Sequence, residues 1–164
     1  MKQFLFALTL ILLIGCSKKT EMTSPEVVQV DYEKLTPYLQ AVEGKVRIIN
    51  FWATWCKPCV EEIPEFQELY ANYKDKNVEL IMVSLDFENQ YEAKLLPYIA
   101  EHQLQGIQLH MIDPAQNTWI SQVSKSWTGA IPVTIVVSEN KSEFFEQPLT
   151  YEELETVLKT HLNK

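Results

Sequence analysis

Apolar residues follow two different spacings along this chain, and the spacings predict a succession of strands and helices. Short runs rich in apolar and β-branched residues are typical of strands. These runs lie at Val27–Val30, Val46–Trp52, 78–85, Ile107–Met111 and 131–137, and a return strand is predicted at 142–147. Apolar residues at helical spacing predict helices at 32–42, 56–73, 91–102, 113–123 and from residue 150 onward.

The order of these elements indicates the fold class. The run Val46–Trp52 is dominated by apolar residues, which is typical of a central strand covered on both faces. A helix and a second buried strand at 78–85 follow it, and this order predicts a parallel pair joined by a right-handed crossover. Thr150 and Glu153 fit a capping box at the start of the last helix. We therefore predict one α/β domain over residues 26–164, without internal repeats.

The N-terminal segment differs from the rest of the chain. Residues 4–14 are almost entirely apolar. The run is shorter than the roughly 20 residues of a membrane-spanning helix, so it predicts a signal peptide at 1–15. It ends in Leu-Ile-Gly-Cys, which resembles a bacterial lipobox and implies that Cys16 carries a lipid. The polar residues 16–25 would then form the lipidated N-terminus and tether. An ordinary secretory signal with a coincidental cysteine is the alternative.

Composition and charge exclude some functions. The chain has 164 residues with four glycines and eight prolines, and its formal net charge is −8. We exclude nucleic acid as the main partner, because binding to its phosphates needs a basic surface. We expect the protein to be a monomer.

The cysteines point to redox chemistry. The chain has three, and with Cys16 lipidated, Cys56 and Cys59 have only each other. A compartment outside the cytoplasmic membrane permits disulfides, but so short a loop stabilises a fold little. A zinc site, which also uses this spacing, would need two more ligands, and the three histidines are scattered. We therefore predict no metal and no cofactor beyond this dithiol.

The pair lies where a buried strand gives way to a helix, and this context favours a redox role. Cys56 is predicted at the helix N-terminus, where free N–H groups, the helix dipole and Lys57 favour an anion. We therefore expect a lowered pKa for Cys56, the predicted nucleophile. Cys59, one turn further and shielded from solvent, is the predicted resolving cysteine. Pro58 lies in the first turn, where its missing N–H is tolerated.

The segment Phe-Trp-Ala-Thr-Trp-Cys-Lys-Pro-Cys at 51–59, followed by Glu-Glu-Ile-Pro at 61–64, resembles the TlpA/ResA group of membrane-tethered thioredoxin-like proteins. The resemblance covers residues 45–162 and is sharpest at 51–64 and 128–136. It implies a thioredoxin-like α/β fold, with a central mixed sheet flanked by helices and an extra helix and strand before the cis-proline strand. It also implies exchange of thiols and disulfides with extracytoplasmic proteins.

Further positions take a role from this resemblance. Ile131 and Pro132 match the family's cis-proline, which leaves the preceding backbone free to pair with an extended substrate; a trans proline is the alternative. Glu62 matches a glutamate that tunes the dithiol as proton acceptor and donor, with a pKa raised by burial; a solvated glutamate is the alternative. Asn50 replaces the buried aspartate of cytoplasmic thioredoxins, which strengthens the assignment to Glu62. Ala130 replaces the family's usual glycine.

The predicted function is that of an envelope thiol–disulfide oxidoreductase, lipid-anchored to either membrane and facing the periplasm. Trp55 is expected to offer an apolar docking surface beside Cys56. We expect a reductase of envelope protein disulfides that receives electrons from a membrane thiol donor. An oxidase stays an alternative, because direction depends on reduction potential. Two further alternatives remain. One is a copper metallochaperone that uses the same dithiol, with His110 and Met111 as added ligands, and the other is a peroxidase.

Overall fold

The computed structural model describes residues 26–163, so the predicted signal peptide and the whole predicted tether at 16–25, with Cys16, lie outside the described residues. Six strands form the sheet: β1 Val27–Val30, β2 Val46–Trp52, β3 Val78–Ser84, β4 Ile107–Met111, β5 Val133–Ser138 and β6 Lys141–Phe145. The α-helices are α1 Tyr32–Leu39, α2 Lys57–Tyr73, α3 Leu96–Glu101, α4 Gln116–Val123 and α5 Tyr151–Leu162. Within this described range, no helix has the length and apolar composition needed to cross a membrane.

The strands are arranged in the order β1-β4-β3-β2-β5-β6. The first four pair in parallel, whereas β5 is antiparallel to both β2 and β6. α2 provides the connection that the parallel strands β2 and β3 require. This mixed sheet with flanking helices confirms the predicted α/β fold, and between β3 and β5 the chain adds α3, β4 and α4.

Alternate residues of the strands fill two apolar layers, one on each face of the sheet. On one face, Ile48 and Trp52 of β2 pack with residues of α2 and α5, among them the fully buried Phe66. On the other face, Phe51 packs in a cluster that includes Trp119 of α4. Because β2 contributes to both layers, its nearly continuous apolar sequence is explained by burial on both sides.

The ends of some helices and strands differ from their predicted positions because of tertiary contacts or backbone chemistry. α1 ends at Leu39 rather than at 42, because the carbonyl groups of Pro37 and Gln40 accept hydrogen bonds from the Arg47 guanidinium at 2.7 and 3.0 Å. β5 begins at Val133 rather than at 131, since Pro132 has no N–H to donate to the sheet.

Helix and hairpin bounds also differ in detail. The helix predicted at 91–102 begins as a π-helical turn, Tyr91–Leu95, that runs into α3. The return strand β6 is displaced toward the turn relative to the predicted 142–147. The capping box of Thr150 and Glu153 is confirmed at the start of α5.

Gly106, in the turn before β4, is expected to tolerate no side chain. Its φ is +92°, and a Cβ there would lie 2.6 Å from the Leu80 carbonyl oxygen. Gly44, before β2, has a φ of +73° but open space within 4 Å of such a Cβ. We expect Gly44→Ala to lower the free energy of unfolding by about 1–2 kcal/mol through backbone strain alone. Gly106→Ala should lower it by clearly more, because the new Cβ would also collide with the Leu80 carbonyl oxygen. Urea denaturation measures both, and equal losses would contradict this assignment.

Candidate active site

The two cysteines lie where the chain turns from β2 into α2. A hydrogen bond from the Cys56 N–H to the Ala53 carbonyl, 3.1 Å long, closes this turn, and the helix begins at Lys57. Cys56 is the N-cap residue, and its sulfur accepts a hydrogen bond from the Cys59 N–H at 3.3 Å. The two cysteines are joined by a disulfide. The predicted placement of Cys56 is therefore confirmed, and the same N–H can stabilise a thiolate at this sulfur.

The sulfurs differ in access to solvent, and the loop before β5 faces the outer one. Cys56 is 6% exposed, whereas Cys59 is fully buried, as expected. The Ile131–Pro132 peptide bond is cis, as expected. The Ile131 carbonyl oxygen lies 3.7 Å from the Cys56 sulfur. An extended chain that reaches Cys56 would therefore meet the backbone of this loop.

Glu62 lies on the buried face of α2, one turn after Cys59, and is only 4% exposed. Its carboxylate accepts hydrogen bonds from Asn50 Nδ2 at 2.8 Å and from the Leu149 N–H at 3.0 Å. Burial raises the pKa of Glu62 from 4.5 to about 7, although both hydrogen bonds act in the opposite direction. The rise in pKa is as expected, and the alternative of a solvated helix glutamate is wrong.

Asn50 and Thr134 complete a buried polar group whose contacts were not predicted. They lie opposite each other in the register of β2 and β5, both fully buried. Asn50 Nδ2 lies 3.2 Å from Thr134 Oγ1 in addition to its bond with Glu62. A signal was present in the sequence, because a polar residue inside a buried strand needs a hydrogen-bond partner. The sequence could not say which one.

Trp55 is 51% exposed beside Cys56, and the structure adds a second exposed ring to it. Phe87 is 58% exposed and stacks on Trp55, with ring centroids 5.9 Å apart. The buried carboxylate of Asp86 accepts hydrogen bonds from the N–H and the hydroxyl of Thr54. This contact ties the loop after β3 to the turn before Cys56, and so holds both rings in place. Sequence reasoning missed Phe87, which lies far from the motif along the chain.

Lys57 and Pro58 lie at the exposed start of α2, as predicted. Lys57 is 85% exposed at its side chain and pairs with the exposed Glu61 at 3.6 Å. Its positive charge is therefore offset by a neighbouring carboxylate and screened by water. Pro58 lines a cleft of about 210 Å³ with Glu61, Glu62 and Leu149.

The three histidines lie on different elements of the fold. His110 is buried, with Nε2 2.9 Å from the Asp86 carbonyl oxygen, while Met111 packs in the cluster on the opposite face of the sheet. His102 follows α3 at the surface, and His161 lies on α5. Among residues 26–163, no group of three or more His, Cys, Asp or Glu side chains is arranged to hold a metal ion.

Residues 23–142 match the model of the AhpC/TSA family. The chain belongs to this family. It is 32% identical over 120 residues to thiol–disulfide oxidoreductase ResA of Geobacillus thermodenitrificans, covering 66% of this chain and 69% of that protein. It is 49% identical over 59 residues to ResA of Oceanobacillus iheyensis, covering 36% of this chain and 31% of that protein. The match thus spans less than a third of the Oceanobacillus protein. The expected ResA/TlpA type is confirmed.

A solved structure of another protein shares the fold described above. A thiol:disulfide interchange protein of the thioredoxin family from Chlorobium tepidum superposes with a TM-score of 0.62 at 20% identity. The superposition covers 79% of this chain and 85% of that one. The likeness supports the thioredoxin-like fold.

Glu62 is expected to make the stability of the oxidised protein depend on pH. Its pKa is about 7 in the folded chain, against an ordinary 4.5, so the folded state holds this proton more tightly than the unfolded state. Its contribution to the free energy of unfolding therefore falls as pH rises through this range, by about 3 kcal/mol in total.

The measurement is chemical denaturation below and above this pH range. We expect the difference between wild type and Glu62→Gln to show the fall. The exposed neighbour serves as control, since Glu61→Gln should keep the wild-type pH dependence. A difference that is constant with pH, or that rises, would contradict the raised pKa.

Proposed function

We propose that this protein is a thiol–disulfide oxidoreductase of the cell envelope that reduces disulfides of extracytoplasmic proteins. The observation that carries the proposal is the Cys56–Cys59 disulfide, placed at the start of α2 and faced by the Ile131 carbonyl. The ResA relatives are described as thiol–disulfide oxidoreductases, which supports the class of reaction. The two sulfurs carry the electrons, and the proposed reaction uses no cofactor.

The reaction starts from the reduced protein. The Cys56 thiolate attacks one sulfur of the substrate disulfide, whose S–S bond breaks, and the other substrate sulfur leaves as a thiolate that takes a proton. Cys59 then loses its proton and attacks the Cys56 sulfur of the mixed disulfide. The Cys56–Cys59 bond forms, the second substrate thiolate is released, and two electrons have passed to the substrate. A membrane donor with two thiols restores the dithiol by the reverse steps. A donor thiolate attacks the Cys56 sulfur, Cys59 leaves and takes a proton, and the second donor thiol releases Cys56 as the donor becomes a disulfide.

Glu62 is the proposed acceptor for the Cys59 proton and its later donor. With a pKa of about 7, both its neutral and its ionised form are available near neutral pH. The hydrogen bonds from Asn50 and Leu149 keep the carboxylate in one orientation during this exchange. The cleft that Glu62 lines with Pro58 opens a route for the proton to water.

The charges around the dithiol support the reductive direction. Stabilisation of a thiolate makes a dithiol more oxidising, and Lys57 contributes little to it because Glu61 lies 3.6 Å away. An ionised Glu62 disfavours a second negative charge on Cys59. The ionised Glu62 therefore favours the disulfide over the dithiol, as a reductant requires, and Lys57, paired with Glu61, opposes this effect little.

The proposed place of action is the periplasm, with the chain held to a membrane by a lipid on Cys16. The tether predicted at 16–25 would let the domain reach its clients as a monomer. The disulfide of the domain fits a compartment in which disulfides persist. A lipid with more than one acyl chain gives lasting attachment.

Replacement of the resolving cysteine is expected to trap clients. In Cys59→Ser, clients should accumulate as mixed disulfides on Cys56, because nothing displaces them. Non-reducing electrophoresis and mass spectrometry of the native host detect these adducts. The matched control is Cys56→Ser, in which the remaining sulfur is buried, and no adducts are expected. The absence of adducts from folded, reduced Cys59→Ser would contradict the proposal. If adducts are absent, stoichiometric Cu(I) binding by the reduced wild-type protein would favour a copper carrier.

The aromatic pair is expected to matter for protein substrates only. Trp55→Ala and Phe87→Ala should each raise KM for a protein disulfide by about fivefold, since exposed rings bind apolar side chains of a client. The rate with hydroxyethyl disulfide should stay unchanged. Val28→Ala on the edge strand β1 is the control, because Val28 is also exposed, at 41%. Equal losses with both substrates would contradict a docking role.

A further inference from the structure

The loop that brings Ile131 to the disulfide is held by a carboxylate from the neighbouring hairpin. Glu146, immediately after β6, accepts hydrogen bonds from the Thr128 N–H at 3.0 Å and from the Ala130 N–H at 3.2 Å. The Thr128 hydroxyl also donates to it. Three donors of residues 128–130, which we call the approach loop, therefore converge on one side chain.

The approach loop is restrained by a second residue as well. Trp127 Nε1 donates a hydrogen bond to the Ala130 carbonyl at 2.7 Å. Trp127 itself is buried against Phe51 and Trp119. With both the N–H and the carbonyl of Ala130 held, the direction in which the chain enters Ile131 is set.

The electrostatics of Glu146 fit this holding role. Burial acts to raise its pKa, but hydrogen bonds from Thr128 and Ala130 outweigh it and hold the pKa below 4.5. At neutral pH the side chain is therefore an anion, and hydrogen bonds to an anion are roughly twice as strong as those between neutral groups. All three donors reach Oε1, and the Thr128 N–H also reaches Oε2 at 3.1 Å. A glutamine in place of Glu146 would remove the charge and turn an NH₂ group toward the Thr128 N–H.

We propose that Glu146 is a positioning residue for client binding. By holding the approach loop, it sets the Ile131 backbone at the distance from Cys56 at which an extended substrate segment can pair with it. The inference rests on the proposed function. Glu146 acts through the loop, so a disulfide without a peptide backbone should react with Cys56 regardless of this residue.

The test compares two substrates on reduced Glu146→Gln. One is a short peptide closed by a single disulfide, which can extend along the approach loop, and the other is hydroxyethyl disulfide. We expect kcat/KM for the peptide to fall about tenfold, mainly through KM, with the hydroxyethyl disulfide rate unchanged. Hydrogen exchange should show lost protection of the Thr128 and Ala130 amides in the oxidised variant.

Three further variants keep the test decisive. Glu143→Gln is the matched control, because Glu143 lies on β6 but pairs with Lys141 and His161, and wild-type rates are expected. Glu146→Asp keeps the charge and should recover part of the peptide rate. If Glu146→Gln does not fold, Thr128→Val removes one donor and should give a smaller loss confined to the peptide.

Two results would overturn the positioning role while the proposed function stands. One is an equal loss with both substrates, and the other is full peptide activity in a variant whose approach-loop amides have lost protection. A wild-type protein that exchanges with neither substrate would contradict the proposed function, and this inference with it.

Discussion

The site depends on one constraint, the abrupt change from strand to helix between β2 and α2. A parallel strand pair needs a crossover, and a helix that starts at the end of a central strand presents its free N–H groups at that edge of the sheet. Here the Cys59 N–H meets the Cys56 sulfur. The same helix carries Cys59 into the core and, one turn later, places Glu62 over β2. The dithiol and its carboxylate are thus consequences of a single connection.

Much of the fold could be predicted, because the spacing of apolar residues along the chain matches the faces of the strands and helices that are buried. β2 and β4 occupy the residues predicted for them, and their starts are marked in the sequence by Lys45 and Gly106. Ends set by contacts with another element were missed. α1 stops early because Arg47, which lies in β2, takes its last carbonyl groups. Nothing within residues 32–42 carries that information.

The same distinction separates the predicted site residues from the missed ones. Cys56 and Cys59 lie in one short motif, so spacing alone brings them together. Asn50 meets Thr134 across 84 positions of sequence, through the register of an antiparallel pair that the sequence does not specify. Phe87 and Glu146 likewise reach the site only through the packing of segments that are remote along the chain.

The length of the turn between β5 and β6 determines where Glu146 lies relative to residues 128–130. The register of this hairpin pairs Ser138 with Lys141 and Thr134 with Phe145, so Glu146 owes its position to the length of the turn between the strands. Side chains alternate between the two faces of a sheet, and a slip of one residue would turn the carboxylate away from residues 128–130. An insertion at Glu139 or Asn140, remote from both sulfurs, is therefore a route by which evolution can retune recognition without altering the redox motif.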